Sequence, residues 1–185
     1  DSPYPKGFLY RPDFLDRDEE SVLVDIIRKI HLRPFQFQGF EARRKVISFG
    51  YDYSFDKNEL TEGKPIPDDF APLIEKVSRT VSVGKDEFRE VLVTEYPPGA
   101  VINWHRDASP FDLIAGISLA ADCTFKLRPY NKSKQTRGSV ISIPLQRRSL
   151  YVITASARTD WQHSISPVKS TRFSITLRTL RQNFK

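Results

Sequence analysis

Two stretches in the first half of the chain carry helical periodicity. Asp16 with Glu19 three residues later has the form of an N-cap pair, and Val22, Ile26 and Ile30 follow at i, i+4 and i+8 with Leu23 and Ile27 beside them, which predicts an amphipathic helix over 16–31. Asp68 and Asp69 ahead of Phe70, Leu73, Ile74, Val77 and Val81 predict a second. After about residue 90 the period shortens. The runs Val91–Tyr96, Ile114–Ala120, Thr124–Leu127, Ser139–Ile143, Leu150–Thr154 and Phe173–Leu180 are rich in β-formers and separated by Pro, Gly, Asn and Lys clusters, the pattern of an antiparallel sandwich or barrel. Helices first and strands afterwards imply an α+β fold in which helices buttress one sheet.

The chain has 185 residues, 39% hydrophobic and 28% charged, with 13 Phe and 7 Tyr. That length suits one domain, taken as 1–185. The apolar content supports a packed core and excludes intrinsic disorder. No apolar run approaches the roughly 18 residues of a membrane span, so no membrane partner is expected. The N-terminal residues lack the basic-then-apolar order of a secretory signal. Cys123 is the single cysteine, which excludes an internal disulfide and a thiolate metal cluster, and a reducing cytoplasmic compartment and a monomer are expected.

Charge is uneven. The net charge is +6, yet from Lys126 onward 13 Lys and Arg stand against one acid, Asp160, while the first 125 residues carry 16 against 22. A concentrated cationic third favours a polyanionic partner, nucleic acid before membrane. The segment Arg43 to Phe55 joins three successive cations to four aromatics, including Tyr51 and Tyr53. It reads either as a base-stacking, phosphate-holding strip or as a hairpin with half-buried tyrosines.

Of the three histidines, His31 closes the first predicted helix, where a cation suits the helix dipole. His105 and Asp107 stand at i and i+2, so on an extended segment their side chains share one face and form a two-toothed metal ligand. His163, beside a later β-rich run, is placed to be the third ligand from a neighbouring strand. Two imidazoles and a carboxylate on one face of an octahedron form the facial arrangement of non-haem Fe(II) oxygenases. In Arg172-Phe-Ser-Ile-Thr-Leu-Arg178, the residues Arg172, Ser174, Thr176 and Arg178 occupy one strand face and Phe173, Ile175 and Leu177 the other. A polar face with two arginines reads either as solvated or as the lining of a cavity that takes a small diacid.

Taken in order, Tyr96-Pro97-Pro98-Gly99-Ala100, Trp104-His105-Arg106-Asp107, Gly116-Ile117-Ser118-Leu119, Trp161-Gln162-His163-Ser164-Ile165 and Arg172 to Arg178 resemble the AlkB-like Fe(II)/2-oxoglutarate-dependent dioxygenases over about Phe35 to Arg181, most closely the bacterial members. The resemblance implies a catalytic double-stranded β-helix (jelly-roll) core over 91–185, with N-terminal helices and a nucleotide-recognition lid over 1–90. It implies His105, Asp107 and His163 as ligands of Fe(II), Arg172 with Tyr96 at the distal carboxylate of 2-oxoglutarate, and Arg178 towards its oxoacid end. Thr94 stands where many members have an Asn that contacts 2-oxoglutarate, and Ser174 where some have another. The lid carries over as Arg43, Arg44, Tyr51 and Tyr53, with Trp104 and Ser109 as further substrate contacts. Ser109 falls in the short stretch where base demethylases often carry an acid.

The implied activity is oxidative demethylation of N-alkylated bases in DNA or RNA, using Fe(II), 2-oxoglutarate and O2 and releasing succinate, carbon dioxide and formaldehyde. The base must be single-stranded or flipped. Alternatives are a protein or tRNA substrate for the same chemistry, or a nucleic-acid-binding module without turnover.

Overall fold

In the computed structural model, residues 2–37 and 40–184 are described. Along the chain come β1 (Phe8–Arg11), α1 (Arg17–Arg28), β2 (Arg33–Phe37), β3 (Phe40–Ser54), β4 (Glu59–Glu62), α2 (Ala71–Val81), β5 (Phe88–Tyr96), β6 (Ile102–His105), β7 (Phe111–Leu119), β8 (Cys123–Pro129), β9 (Ile141–Leu145), β10 (Leu150–Ile153), α3 (Ala155–Thr159), β11 (Trp161–Ile165) and β12 (Arg172–Leu180). The strands form two antiparallel sheets. The larger runs β1-β10-β7-β12-β5-β3-β2 with β4 on β3, and the smaller runs β6-β11-β8-β9. This is the antiparallel sandwich that the short alternating runs imply, and it is consistent with a jelly roll.

Local chemistry sets both long helices. The Asp16 carboxylate accepts from the Glu19 N–H at 2.7 Å while the Glu19 carboxylate accepts from the Asp16 N–H at 3.0 Å, a reciprocal cap on α1. That helix ends at Arg28, so His31 does not close it and lies exposed in the following segment. Helix α2 starts after a 3-10 turn over Asp68–Phe70 and stops at Ser82, whose φ of 56° is left-handed. Leu23, Val24 and Ile27 of α1 and Leu73, Ile74 and Val77 of α2 bury against Phe49, Val91, Val93, Ile117, Phe173, Ile175 and Leu177. Each such side chain contributes about 1.5–3 kcal/mol when fully buried. The helices therefore cover one face of the larger sheet, as expected.

A second apolar cluster fills the space between the two sheets and includes Tyr96, Phe111, Phe125, Leu127, Ile143 and Tyr151. Because β12 lies centrally between β5 and β7, its apolar face meets the helices and its polar face turns into this inter-sheet space. Glu20 on α1 ties the layers together. Its carboxylate accepts from Arg147, Arg148 and the Ala120 N–H, all within 3.2 Å.

The N-terminal half is woven into the larger sheet more than alternation alone conveyed. Strand β1 pairs with β10, and residues 45–50 of β3 pair with 95–90 of β5. The expected lid segment is thus mostly one long strand, whose far end, Tyr51 to Ser54, leaves β5 to pair with Glu62 to Glu59 of β4. Tyr51 and Tyr53 are half-buried there.

Candidate active site

Strands β6 and β11 pair with His105 directly opposite His163, and their rings lie 4.2 Å apart between centroids. Asp107, two residues past His105, turns its carboxylate between them, with Oδ1 3.4 Å from His105 Nε2 and 3.2 Å from His163 Nε2. One ligand atom from each residue lies within 4.8 Å of the others. His105 Nδ1 sits 2.8 Å from the Asn103 carbonyl, which assigns the proton to Nδ1 and leaves the Nε2 lone pair facing the cluster. His163 stacks on Phe125 at 5.4 Å and 15°. Burial, with His105 alongside, pushes the His163 imidazole down to about 4, so it is neutral and able to ligate at pH 7. Burial alone would raise the Asp107 carboxyl, but Arg178 and the two imidazoles hold it well below the usual carboxylate range.

The carboxylate is held from behind. Arg178 Nε donates to Asp107 Oδ2 at 2.8 Å, and Arg178 Nη1 donates to Glu90 Oε1 at 2.5 Å across the β12–β5 pair. Ser48 Oγ donates to Glu90 Oε2 at 2.9 Å, so a line of side chains runs from β3 to Asp107. Arg158 of α3 donates through Nη2 to the carbonyls of Asp107, Ala108 and Phe111. These bonds fix the loop after β6, the outer support that orients a ligating carboxylate. Glu90 and Arg158 went unnoticed in the sequence; only strand register and the α3 position reveal them.

Beside the cluster, Arg172 is 1% exposed and pairs in register with Tyr96. Its Nε donates to Ser118 Oγ at 2.9 Å, its guanidinium carbon lies 4.9 Å from the Tyr96 ring centre, and its Nη1 is buried with no partner. Ser174 lies between Thr94 and Ser118 in register. Tyr151, in the same inter-sheet cluster as Tyr96, packs so close to Gly116 that a Cβ there would fall 2.2 Å from its ring. Ser118 and Tyr151 were not among the expected site residues. A buried, orphaned guanidinium N–H is what an incoming carboxylate satisfies. Arg178, expected towards the oxoacid end, is engaged by Asp107 and Glu90.

The expected substrate residues do not all converge. Arg44 donates to the Val101 carbonyl at 3.4 Å and stacks on Phe35 at 4.3 Å, while Arg43 lies against Gly99; both reach the loop before β6. Tyr51 sits under Arg89, and Tyr53 bonds Asn58 and packs edge-on to Phe55. Trp104 alternates with His105 and so faces the outside of the smaller sheet, stacked on Arg128 at 4.5 Å, away from the ligand cluster. Ser109 is exposed beside Asp107.

The donor set and Arg172 fit Fe(II) and 2-oxoglutarate: two imidazoles and a carboxylate meet on one side, and the Nη1 of a buried guanidinium is left unpaired. A pH dependence follows from His163. Its pKa is near 6.5 unfolded and about 4 folded, so between those values the unfolded chain binds the extra proton. Stability of the metal-free protein is therefore fully present above pH 6.5 and declines as pH falls to 4, by about 3 kcal/mol. Melting temperature against pH checks this. His163→Gln should flatten the slope in that window, and identical slopes would refute the assignment.

A family model described as the 2OG-Fe(II) oxygenase superfamily matches residues 24–184. The chain is 28% identical over 172 residues to mouse tRNA (carboxymethyluridine(34)-5-O)-methyltransferase ALKBH8, covering 89% of this chain and 25% of that protein. It is 28% identical over 165 residues to human DNA oxidative demethylase ALKBH2, covering 78% and 62%. The chain thus spans about a quarter of the mouse relative. The solved structure of OsALKBH1 superposes with a TM-score of 0.72 at 14% identity, covering 96% of this chain and 99% of that one, which shows the shared fold. These matches support the family without placing the chain nearest its bacterial members. The chain belongs to the 2OG-Fe(II) oxygenase superfamily, as an AlkB-like dioxygenase domain of a class that uses Fe(II), 2-oxoglutarate and O2.

Proposed function

We propose that the protein demethylates N-alkylated bases in a nucleic acid strand. The observation that carries the reading is the His105, Asp107 and His163 cluster together with the buried, unpaired Nη1 of Arg172. His105, Asp107 and His163 would hold Fe(II), and Arg172, set by Ser118 and Tyr96, would hold the distal carboxylate of 2-oxoglutarate. Together these cofactors supply O2-dependent hydroxylation of a carbon–hydrogen bond, coupled to conversion of 2-oxoglutarate to succinate and carbon dioxide. Hydroxylation of an N-methyl group gives a hemiaminal that releases formaldehyde and leaves the N–H base.

The protein's own contribution is positioning. Arg178, itself held by Glu90, keeps the Asp107 carboxylate ionised and aimed, and Arg158 fixes its loop. The site sits in the inter-sheet space, lined by Phe111, Phe125 and Tyr151, which limits water around the reacting groups. A nucleic acid substrate is supported by the cationic C-terminal third and by relatives named for tRNA and DNA chemistry. The tRNA relative favours a second reading, in which the strand is tRNA.

Succinate and formaldehyde measured together on methylated DNA, RNA, tRNA and peptide separate these readings. Succinate with formaldehyde from oligonucleotides supports demethylation; succinate without formaldehyde supports hydroxylation; turnover on peptide alone refutes both. Binding gives an independent check, because log Kd against log salt should slope by about 0.7 per phosphate contacted on a single strand. Arg43→Ala should flatten that slope. Tyr51→Ala or Tyr53→Ala should weaken binding by roughly 1–3 kcal/mol per stacked base and leave the slope unchanged.

A further inference from the structure

The loop that carries Asp107 also borders a second cavity, of about 370 Å³, lined by Arg106, Asp107, Ser109, Arg158, Thr159 and Arg181. Asp107 is the sole carboxylate among its described lining residues, and both its oxygens are engaged, Oδ2 by Arg178 and Oδ1 by the facing imidazoles. Three guanidiniums therefore meet with no free protein anion to answer them. Their places are set by bonds that leave donors over. Arg158 is 5% exposed and spends Nη2 on three loop carbonyls, while its Nε is buried without a partner. Arg181 is anchored by its backbone N–H to the Pro110 carbonyl at 2.8 Å, and its Nε is likewise buried and unpaired. Arg106 donates to the Thr159 carbonyl at 2.8 Å and lies 3.6 Å over the Tyr130 ring.

Crowding like charges and burying unmet N–H groups both oppose folding. Burial and the neighbouring Arg181, Arg178 and Arg106 all work against the charge on Arg158, with Asp107 alone opposing them. An arrangement with that cost is relieved by an anion, and planar guanidiniums match the paired oxygens of a phosphate. We propose that this cavity is a phosphodiester subsite, in which Arg106, Arg158 and Arg181 grip the backbone of the substrate strand next to the nucleotide whose base enters the metal site. The inference rests on the nucleic-acid reading above. It draws its location from Asp107, which belongs to both cavities, and Ser109 adds an exposed hydroxyl at the rim.

The test uses the protein loaded with Fe(II) and 2-oxoglutarate without oxygen. The probes are dimethyl phosphate and single-stranded pentanucleotides in which one linkage at a time is an uncharged methylphosphonate. The variants are Arg181→Gln and, on the exposed rim, Arg106→Gln, each checked for folding by its melting curve. Dimethyl phosphate, followed by phosphorus NMR, should bind the wild type and bind both variants about tenfold more weakly. Neutralising one particular linkage should weaken pentanucleotide binding about tenfold in the wild type and less than twofold in Arg181→Gln. Equal titration of dimethyl phosphate by wild type and variants overturns the subsite, as does an equal effect of every linkage. Turnover of methylated pentanucleotides is scored separately. Its absence sinks the demethylase reading, while dimethyl phosphate still decides the subsite.

Discussion

Alanine at His105, Asp107 or His163 should lower Fe(II) affinity by more than about a hundredfold, whereas His31→Ala should bind as the wild type does. Loss of an outer-sphere partner of a metal ligand alone costs 10–100-fold, and loss of a ligand itself must exceed that. The three residues supply the only group of this kind found among the described residues, with His31 exposed and remote in the chain. Asp107→Ala should carry a further cost, because Arg178 then loses one of its two ion pairs with buried carboxylates and keeps that with Glu90. Anaerobic Fe(II) titration of the four variants measures this. Wild-type affinity in Asp107→Ala or His163→Ala would remove the metal assignment, and a His31→Ala loss would move it elsewhere.

Arg172→Ala should raise the apparent dissociation constant for 2-oxoglutarate about ten- to a hundredfold, the loss of a charge-assisted contact worth roughly 1.5–3 kcal/mol, and leave Fe(II) binding within about twofold. Arg172→Lys should rescue little. One guanidinium nitrogen is spent on Ser118 while Nη1 remains for the ligand, and a lysine on its flexible stem does not reproduce that fork. Ser118→Ala provides the control for orientation, with a smaller loss. Ligand titration of the Fe(II)-loaded, oxygen-free protein reads all three. An unchanged 2-oxoglutarate affinity in Arg172→Ala would leave its buried Nη1 without this purpose.

Much of this was legible from neighbours in the chain. The cap of α1 was readable because Asp16 and Glu19 satisfy each other within one turn. The two faces of β12 were readable because alternation follows from strand geometry alone, and the i, i+2 spacing put His105 and Asp107 together for the same reason. The helix end near His31 was misjudged because the apolar period runs on to Ile30 while the hydrogen-bonded turns stop at Arg28. Alternation also placed Trp104 opposite to His105, yet nothing local said which face of β6 meets the inter-sheet space.

What the sequence determined by itself was thus the set of short-range relations: two helices, alternating strands, a two-toothed His-x-Asp and a strand face with two arginines. The tertiary structure alone decided which distant partners those faces meet. Register set His163 opposite His105 and Glu90 opposite Arg178, and so made one arginine a satisfied support of the metal carboxylate and left the other, Arg172, with an open donor. It likewise gathered Arg106, Arg158 and Arg181 from three separate parts of the chain around one cavity. The physical reason is that alternation specifies only the parity of a strand. Its register is chosen by the packing and hydrogen bonding of the whole sheet, and a shift of one residue would turn the shifted strand's side chains to the other face.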